Sequence, residues 1–326
     1  MYYDGFRTLT YNCLFNFIVG NRGGGKTYWF KKWAIKDFIK NGNQFVYVRR
    51  YKQELKKISK FFDDIAHEFP NHKFDVKGMT FYIDNKLAGT AMPLSTSKIE
   101  KSTPFPKVNK IGFDEFILDK GVYRYLEDEV INFLELYETI ARSRDNVIVF
   151  FLSNAISMTN PYFLYFNISL PYGKNIIRKD DILLELVQNQ DFIDMKKQTR
   201  FGRLIEGTSY ADYSIENKFL RDNKTFIEKK NGHCDYLFGF IYKDDKYGVW
   251  TNHEQGLVYV SYDTDPYSKL VYSITMKDHQ PNTMLLKRVN KTCLFKYFID
   301  NFKLGNVRFE SMNIKNICYD ILKLTI

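Results

Sequence analysis

The stretch Leu14-Phe-Asn-Phe-Ile-Val-Gly20, followed by Asn21-Arg-Gly-Gly-Gly-Lys26-Thr27, decides the fold class of this chain. Its first half is an apolar run of strand length, and residues 20–27 match the G-x-x-x-x-G-K-[ST] phosphate loop in full. From Lys26 onwards apolar residues recur at helical spacing, which predicts an amphipathic helix. A buried strand, a glycine-rich loop and a helix in this order predict an α/β fold: a P-loop NTPase core on a mainly parallel sheet.

Each residue type in the loop is suited to binding a nucleoside triphosphate such as ATP. Glycines let successive backbone N–H groups point at phosphate oxygens, and the start of the helix adds partial positive charge. We expect Lys26 to bridge the β- and γ-phosphates and the Thr27 hydroxyl to ligate Mg²⁺. The candidate nucleotide-binding residues are Gly20, Asn21, Arg22, Gly23, Gly24, Gly25, Lys26 and Thr27.

A second apolar run, Lys110-Ile-Gly-Phe-Asp114-Glu115, ends in two acids and lies inside an alternating strand and helix pattern. We expect Asp114 to hold Mg²⁺ through its shell of waters, and Glu115 to polarise the attacking water. A glutamate directly after the aspartate favours hydrolysis over phosphate transfer to a small molecule. Lys26 and Glu115 are therefore candidate catalytic residues.

Other polar groups follow the predicted strands and helices of the same domain. Asn154 comes after the apolar strand 147–152, where it either contacts the γ-phosphate or the attacking water, or makes a local turn. Arg142 and Arg144 precede that strand, and each either reaches a neighbouring subunit's γ-phosphate or is a solvated surface charge. The cluster Arg49-Arg50-Tyr51-Lys52 binds DNA, acts across a subunit boundary, or is an inert charge near a helix.

The rest of the chain divides into further predicted elements. Apolar residues between 55 and 69 repeat at helical spacing, and residues 73–94 read as a small antiparallel insertion. Residues 234–262 predict a three-stranded antiparallel meander followed by a helical tail, and residues 195–203 a basic helix. We assign 1–195 to the ATPase domain, 196–223 to a basic linker and 224–326 to a smaller C-terminal α+β domain.

Composition excludes several classes of protein. The chain of 326 residues is 44% hydrophobic, contains no apolar run of transmembrane length and begins without a secretory signal, so we expect a soluble, unexported protein. Its four cysteines form no zinc-binding pair and are expected to be reduced thiols. The net charge is +10, and residues 218–326 carry 17 basic and 12 acidic residues. That excess suits a polyanion such as DNA or RNA, or is simply an inert basic surface.

Several short stretches resemble the encapsidation proteins of small tailed bacteriophages, the ATPases that drive double-stranded genomic DNA into a preformed capsid. The resemblance covers most of the chain. It rests on the phosphate loop at 20–27, Gln44-Phe-Val-Tyr-Val-Arg-Arg-Tyr-Lys52, Phe113-Asp-Glu-Phe116, Leu152-Ser-Asn-Ala155, Asn160-Pro-Tyr-Phe163 and Thr199-Arg-Phe-Gly-Arg-Leu204.

The resemblance implies an additional-strand ATPase core of the RecA/FtsK type that assembles as a ring, usually a pentamer, on the capsid portal. It implies that Arg142 is the trans-acting arginine finger, with Arg144 as the alternative, and that Lys52 acts across the subunit interface. It also implies a packaging RNA as a further partner, and a place in the host cytoplasm with transient docking on the procapsid.

The same resemblance implies a C-terminal domain of the RNase H-like nuclease type. Such nucleases carry a metal-binding aspartate in the middle of their first strand, whereas here Tyr236-Leu-Phe-Gly-Phe-Ile-Tyr242 has none. The carboxylates Asp235, Asp244 and Asp245 lie at its ends, so a two-metal nuclease is not expected and the domain reads as a binding relic.

Two other functions fit the same motifs. A replicative helicase or helicase loader would use the same core on single-stranded DNA, away from any capsid. A terminase with an active nuclease would cut DNA in a magnesium-dependent reaction through its C-terminal domain. Stimulation of hydrolysis by duplex DNA rather than single strands distinguishes the packaging motor from the helicase.

Overall fold

The chain forms two compact units in a computed structural model that describes residues 2–20, 22–97, 104–118, 124–154, 160–168, 170, 174–187, 194–195, 197–205, 226–285 and 293–323. The first unit comprises the described residues within Met1–Asp119, Glu129–Ile156 and Ile168–Arg221. The second comprises those within Lys120–Asp128, Ser157–Asn167 and Asp222–Ile326. Two short segments that precede residue 195 thus belong to the second unit. The predicted domain boundaries at 195 and 224 assign them to the first. Most of the predicted linker lies outside the described residues.

The first unit alternates strands and helices around one sheet. Its helices are α1 (Gly5–Leu9), α2 (Lys26–Asn41), α3 (Glu129–Ala141) and α5 (Arg200–Ile205). Its strands are β1 (Phe15–Gly20), β2 (Gln44–Arg49), β3 (Phe74–Lys77), β4 (Thr80–Ile83), β5 (Lys86–Pro93), β6 (Val108–Asp114), β7 (Ile148–Ser153), β8 (Ile176–Lys179) and β9 (Ile182–Val187). Helix α4 (Pro161–Tyr165) belongs to the second unit.

Within the described residues these strands form a nine-stranded mixed sheet in the order β3-β4-β5-β2-β6-β7-β1-β9-β8. The six strands in the middle of this order, β5-β2-β6-β7-β1-β9, each pair in parallel with their neighbours. The remaining pairs, β3-β4, β4-β5 and β9-β8, are antiparallel. Strand β7 therefore lies between β1, which leads into the phosphate loop, and β6, which ends in the two acids. This confirms the predicted α/β fold with a mostly parallel sheet.

Helices cover both faces of this sheet. In β7 the neighbouring residues Phe150 and Phe151 point to opposite faces because side chains alternate along a strand. Phe150 packs against Trp29 and Trp33 of α2, whereas Phe151 packs against Phe133 of α3. All six residues of β1 are buried without alternation, as expected for a parallel strand enclosed on both sides.

The helix expected between residues 55 and 69 is not formed, and that prediction is wrong. The chain instead makes three short 3-10 helices, Lys52–Leu55, Ile58–Lys60 and Ala66–Glu68. Most of its apolar side chains are still buried, because residues spaced three apart share a face in a 3-10 helix as well. The Phe61 carbonyl accepts a hydrogen bond from Lys31 Nζ at 2.8 Å, while the N–H of Ile65 donates to Phe62 three residues back.

The predicted antiparallel insertion at 73–94 exists as strands β3, β4 and β5, but it is not separate from the main sheet. Strand β5 pairs in parallel with β2 from Phe45 opposite Gly89 to Arg49 opposite Pro93. The insertion therefore extends the sheet beyond β2.

The second unit contains a six-stranded sheet in the order β14-β13-β10-β11-β12-β15. Its elements are β10 (Asp235–Tyr242), β11 (Asp245–Asn252), β12 (Leu257–Ser261), β13 (Val271–Ser273), β14 (Met284–Leu285), β15 (Val307–Phe309), α6 (Cys293–Leu304) and α7 (Met312–Lys323). The antiparallel meander of β10, β11 and β12 confirms the prediction for 234–262. Among the described residues, no helix has the length and hydropathy needed to cross a bilayer.

Candidate nucleotide-binding site

The phosphate loop connects the end of β1 to the start of α2 through backbone conformations that favour glycine. Gly23 and Gly25 have φ angles of 82° and 86°, in the left-handed region that strains other residues. A Cβ at Gly20 would lie 2.7 Å from the Val187 carbonyl oxygen of β9, so only glycine fits there without movement. Asn21 lies outside the described residues.

Lys26 is buried at the first position of α2, directly under the loop. Its Nζ donates hydrogen bonds to the Gly20 carbonyl at 3.1 Å and to Asn154 Oδ1 at 3.0 Å. The predicted polar residue at the tip of β7 thus contacts the predicted phosphate-binding lysine. A phosphate held by Lys26 would also come within reach of Asn154.

The structure also brings together the two residues predicted to hold Mg²⁺. Thr27 Oγ1 donates a hydrogen bond to Asp114 Oδ1 at 3.1 Å, although 87 positions separate them in the chain. A hydroxyl and a carboxylate oxygen are ligands that Mg²⁺ prefers, usually together with phosphate oxygens and waters. The residues present therefore fit this metal.

Two side chains of β2 that sequence reasoning did not assign to the site also contact the acids. The Tyr47 hydroxyl donates to Asp114 Oδ2 at 2.6 Å, and Arg49 pairs with Asp114 at 3.5 Å and with Glu115 Oε2 at 2.9 Å. Arg49 also pairs with Glu54 at 3.0 Å. Their positions follow from register, because Val48 of β2 lies opposite Phe113 of β6.

Burial and neighbouring charges fix the protonation of these two side chains. Burial, reinforced by the charge of Asp114, raises the pKa of the Tyr47 hydroxyl well above its usual range, so Tyr47 remains a donor. Burial alone would lower the pKa of the Arg49 guanidinium, but the negative charges of Asp114, Glu115 and Glu54 outweigh burial and raise it. Arg49 therefore stays charged between the carboxylates.

Glu115 has a left-handed backbone, with φ of 57°, and its side chain is 47% exposed. Arg50 holds this backbone by donating to the carbonyls of Glu115 at 3.2 Å and of Phe116 at 2.6 Å. The same guanidinium makes two hydrogen bonds to Glu129, and both side chains are buried. Non-glycine residues in this conformation often mark functional sites, where surrounding contacts offset a cost of about 1–3 kcal/mol.

The predicted basic cluster at 49–52 must therefore be reinterpreted. Arg49 and Arg50 are not an exposed DNA-binding patch, because they pair with acids and carbonyls of their own chain. Lys52 is exposed on the first 3-10 helix, and its side chain makes no hydrogen bond or ion pair with the described residues.

A cavity of about 710 Å³ opens beside the phosphate loop. This volume lies within the range of roughly 300–1,000 Å³ typical of small-molecule sites. Its lining consists of Tyr2, Tyr3, Asp4, Phe6, residues 23–29, Lys32, Glu68 and Asn154. The lining thus combines the loop and its lysine with several aromatic side chains.

The two candidate arginine fingers differ in their surroundings. Arg142 is exposed after the last turn of α3, with φ of 51°, and no hydrogen bond or ion pair of its side chain is found among the described residues. Arg144 donates to the carbonyls of Phe105, Pro106, Val108 and Ile140 at 2.5–3.1 Å. Arg144 is therefore engaged within its own chain and is not a solvated surface charge.

We expect Arg144→Ala to destabilise the first unit by about 2–3 kcal/mol, because it leaves several carbonyls without their charged donor. Arg142→Ala serves as the matched control and should change the free energy of unfolding by less than about 0.5 kcal/mol. Urea denaturation followed by fluorescence measures both. Equal stability of the two variants would contradict the structural role of Arg144.

This chain is similar to phage DNA packaging proteins in sequence and in structure. A family model described as podovirus DNA encapsidation protein (Gp16) matches residues 1–326. The DNA packaging protein of Bacillus phage phi29 is 42% identical over 323 residues, covering 99% of this chain and 97% of that protein. A crystal structure is known of the N-terminal domain of the DNA packaging ATPase from bacteriophage phi29. That domain is 48% identical to this chain, with a TM-score of 0.56, and the match covers 59% of this chain and 98% of the domain. The structure of the bacteriophage phi29 viral genome packaging motor assembly contains a chain that is 42% identical to this one, with a TM-score of 0.61. The match covers 100% of this chain and 99% of that chain.

Proposed function

This chain belongs to the podovirus DNA encapsidation family, and from that membership and its site we propose that it is an ATP-hydrolysing motor that moves double-stranded viral DNA into a preformed capsid. The observation that carries the proposal is the convergence of Lys26, Thr27, Asp114 and Asn154 at one end of the sheet. The helicase and the nuclease-active terminase are not favoured, because the relatives are packaging proteins.

We propose that the first unit binds the phosphates of ATP through the loop N–H groups and Lys26. Thr27 and Asp114 would hold Mg²⁺, which neutralises charge on the phosphates when bound. Glu115 would accept a proton from the attacking water, and Asn154 would report the state of the γ-phosphate to β7. Arg49 pairs with one oxygen of Glu115, Oε2, so the other oxygen would accept the proton of the water.

A ring would complete each site from the neighbouring subunit. We propose Arg142 as the trans-acting finger, since it is exposed whereas Arg144 is held by four carbonyls. Lys52, exposed beside the acid-binding arginines, would act across the same interface. The order β6-β7-β1, with a strand between the acids and the loop, supports the additional-strand core of the RecA/FtsK type.

For the second unit we propose an RNase H-like fold that binds nucleic acid without cutting it. The proposal is supported by its strand order, an antiparallel meander with β13 and β14 added in parallel to β10. No group of three or more metal-binding side chains occurs in the part of the chain that the structure describes. Its basic composition suits a polyanion.

We expect the full chain to leave duplex DNA uncut in magnesium or manganese, while binding it more weakly as salt rises. Each phosphate neutralised should contribute a slope of roughly −0.9 in the log–log plot of affinity against salt. Filter binding and nicking of supercoiled plasmid measure the two properties. Cleavage abolished by Asp235→Asn or Asp245→Asn would show a working nuclease instead.

The assembly we propose is a homomeric ring, with five subunits as in the family resemblance, docked transiently on the procapsid portal in the host cytoplasm. A packaging RNA would bridge the motor and the capsid. The direct test is ATP hydrolysis by the full chain with duplex or single-stranded DNA. Stimulation by duplex DNA, lost in Lys26→Ala, supports the motor; stimulation by single strands alone would favour the helicase.

A further inference from the structure

The segment of residues 2–9 forms one wall of the cavity beside the phosphate loop. The Tyr3 N–H donates a hydrogen bond to the Gly24 carbonyl at 2.9 Å. Tyr2 lies so close to Gly25 that a Cβ there would be 3.0 Å from the Tyr2 Cβ. This segment therefore touches the loop itself.

A chain of hydrogen bonds anchors the segment to the sheet. The Tyr3 hydroxyl and Thr8 Oγ1 share a hydrogen bond of 2.7 Å, and Thr8 donates to Glu185 of β9 at 2.7 Å. Arg7 pairs with the other oxygen of Glu185 at 2.6 Å, and Glu185 is only 4% exposed. A buried carboxylate with two partners holds the wall beside β1, the strand that carries the loop.

The wall presents aromatic rings to the cavity. Tyr2 and Phe6 line it although their side chains are 64% and 46% exposed, and Phe6 packs edge-on against Trp29 at 5.6 Å. The loop and Lys26 are suited to phosphates, whereas the aromatic side chains of the lining are suited to stack on a flat ring.

The far side of the cavity is also fixed. The Tyr28 hydroxyl donates to Glu68, which pairs with Lys32. Burial, with the hydrogen bond to Glu68, raises the pKa of Tyr28 to about 12, so its hydroxyl remains a donor. The segment of residues 2–9 and the side chain of Tyr28, which both line the cavity, are thus held in place.

We propose that the part of the cavity lined by Tyr2, Phe6 and Tyr28 is the nucleobase subsite and that the base of the bound nucleotide stacks on Tyr2. The inference rests on the proposed ATP site and deepens it by assigning the part of the ligand that the phosphate loop does not bind. Residues 2–9 then have a positioning role, because Glu185 anchors the segment that carries Tyr2 through Thr8 and Arg7.

The test compares two ligands that share phosphates and differ in the base. Calorimetry on the full chain measures binding of ATP and of tripolyphosphate, each with magnesium. Tyr2→Ala should weaken ATP binding on the order of tenfold, the typical loss of one base–aromatic stack, and leave tripolyphosphate binding unchanged. Tyr2→Phe keeps the ring and should retain the affinity for ATP. Tyr267→Ala, at a tyrosine 90% exposed in the second unit, is the control and should change neither.

Two results would overturn the subsite: an equal loss for both ligands in Tyr2→Ala, or no loss for either. A wild-type chain that binds neither ligand, with Lys26→Ala indistinguishable from it, would remove the proposed ATP site and the subsite together. Binding of tripolyphosphate that depends on Lys26, with ATP binding indifferent to Tyr2, would leave the ATP site standing and reject the subsite alone.

Discussion

Arg142→Ala should hydrolyse ATP about 10³-fold more slowly than the wild type while binding it almost normally. The arginine is exposed at the end of α3 and, in our proposal, stabilises charge on a phosphate held by the neighbouring subunit. Its loss therefore acts on the transition state, with little effect on nucleotide affinity. Steady-state hydrolysis and equilibrium ATP binding, measured on assembled rings, give the two quantities.

Mixing two inactive variants separates a finger acting in trans from a residue needed within its own subunit. Lys26→Ala lacks the phosphate contact but keeps Arg142, and Arg142→Ala has the reverse defect. Mixed rings contain some interfaces with an intact loop and an intact arginine, so part of the activity should return. Two results would each refute the finger: a mixture that stays inactive despite demonstrated subunit exchange, or an Arg142→Ala variant that is fully active alone.

Glu115→Gln should lower turnover by on the order of 10²-fold or more, because an amide cannot accept the proton of the attacking water. Nucleotide binding should persist, since Lys26, Thr27 and Asp114 remain in place. Single-turnover hydrolysis and ATP affinity together measure the effect. Near-normal turnover would show that Glu115 is not the base.

A control for this substitution comes from the arginine that pairs with Glu115. Glu115→Gln also removes the ion pair with Arg49, so loss of activity could arise from a displaced arginine. Glu54→Gln weakens a different contact of the same guanidinium and leaves the proposed base intact. It should retain far more activity than Glu115→Gln.

Local signals in the sequence were enough to predict the α/β fold and the central site. Strand β1, the loop and α2 follow each other within one stretch, and β6 ends in its two acids, so parallel pairing brings Lys26, Thr27 and Asp114 to one edge. The segment 52–69 shows where this reasoning fails. A spacing of three to four residues fits a 3-10 helix and an α-helix alike, so the apolar pattern alone does not distinguish them, and tertiary contacts such as that of Lys31 with the Phe61 carbonyl are not visible in it.

The contacts of the arginines could not be predicted because they depend on tertiary structure. Arg49 and Arg50 are adjacent, yet side chains alternate along β2, so one reaches the acids and the other a buried glutamate. Arg142 and Arg144 are only two positions apart, but of the two side chains Arg144 is the one that donates hydrogen bonds to backbone carbonyls. Residues 2–9, which form the wall, contain no motif. Their anchor, Glu185, is far away in the sequence, near the other end of the first unit.

Strand β7 links two places that matter for the proposed ring. Its first residues follow the turn that carries Arg142, and its last residue precedes Asn154, which touches Lys26. Six residues of strand form a stiff rod roughly 20 Å long, hydrogen-bonded on both sides within the sheet. Because the strand is held on both sides, Asn154 and the turn that carries Arg142 are fixed relative to each other. The residue beside the phosphate-binding lysine and the arginine that we propose for the next subunit's site would therefore move as one body, and a change at one end would reach the other through a movement of the whole sheet.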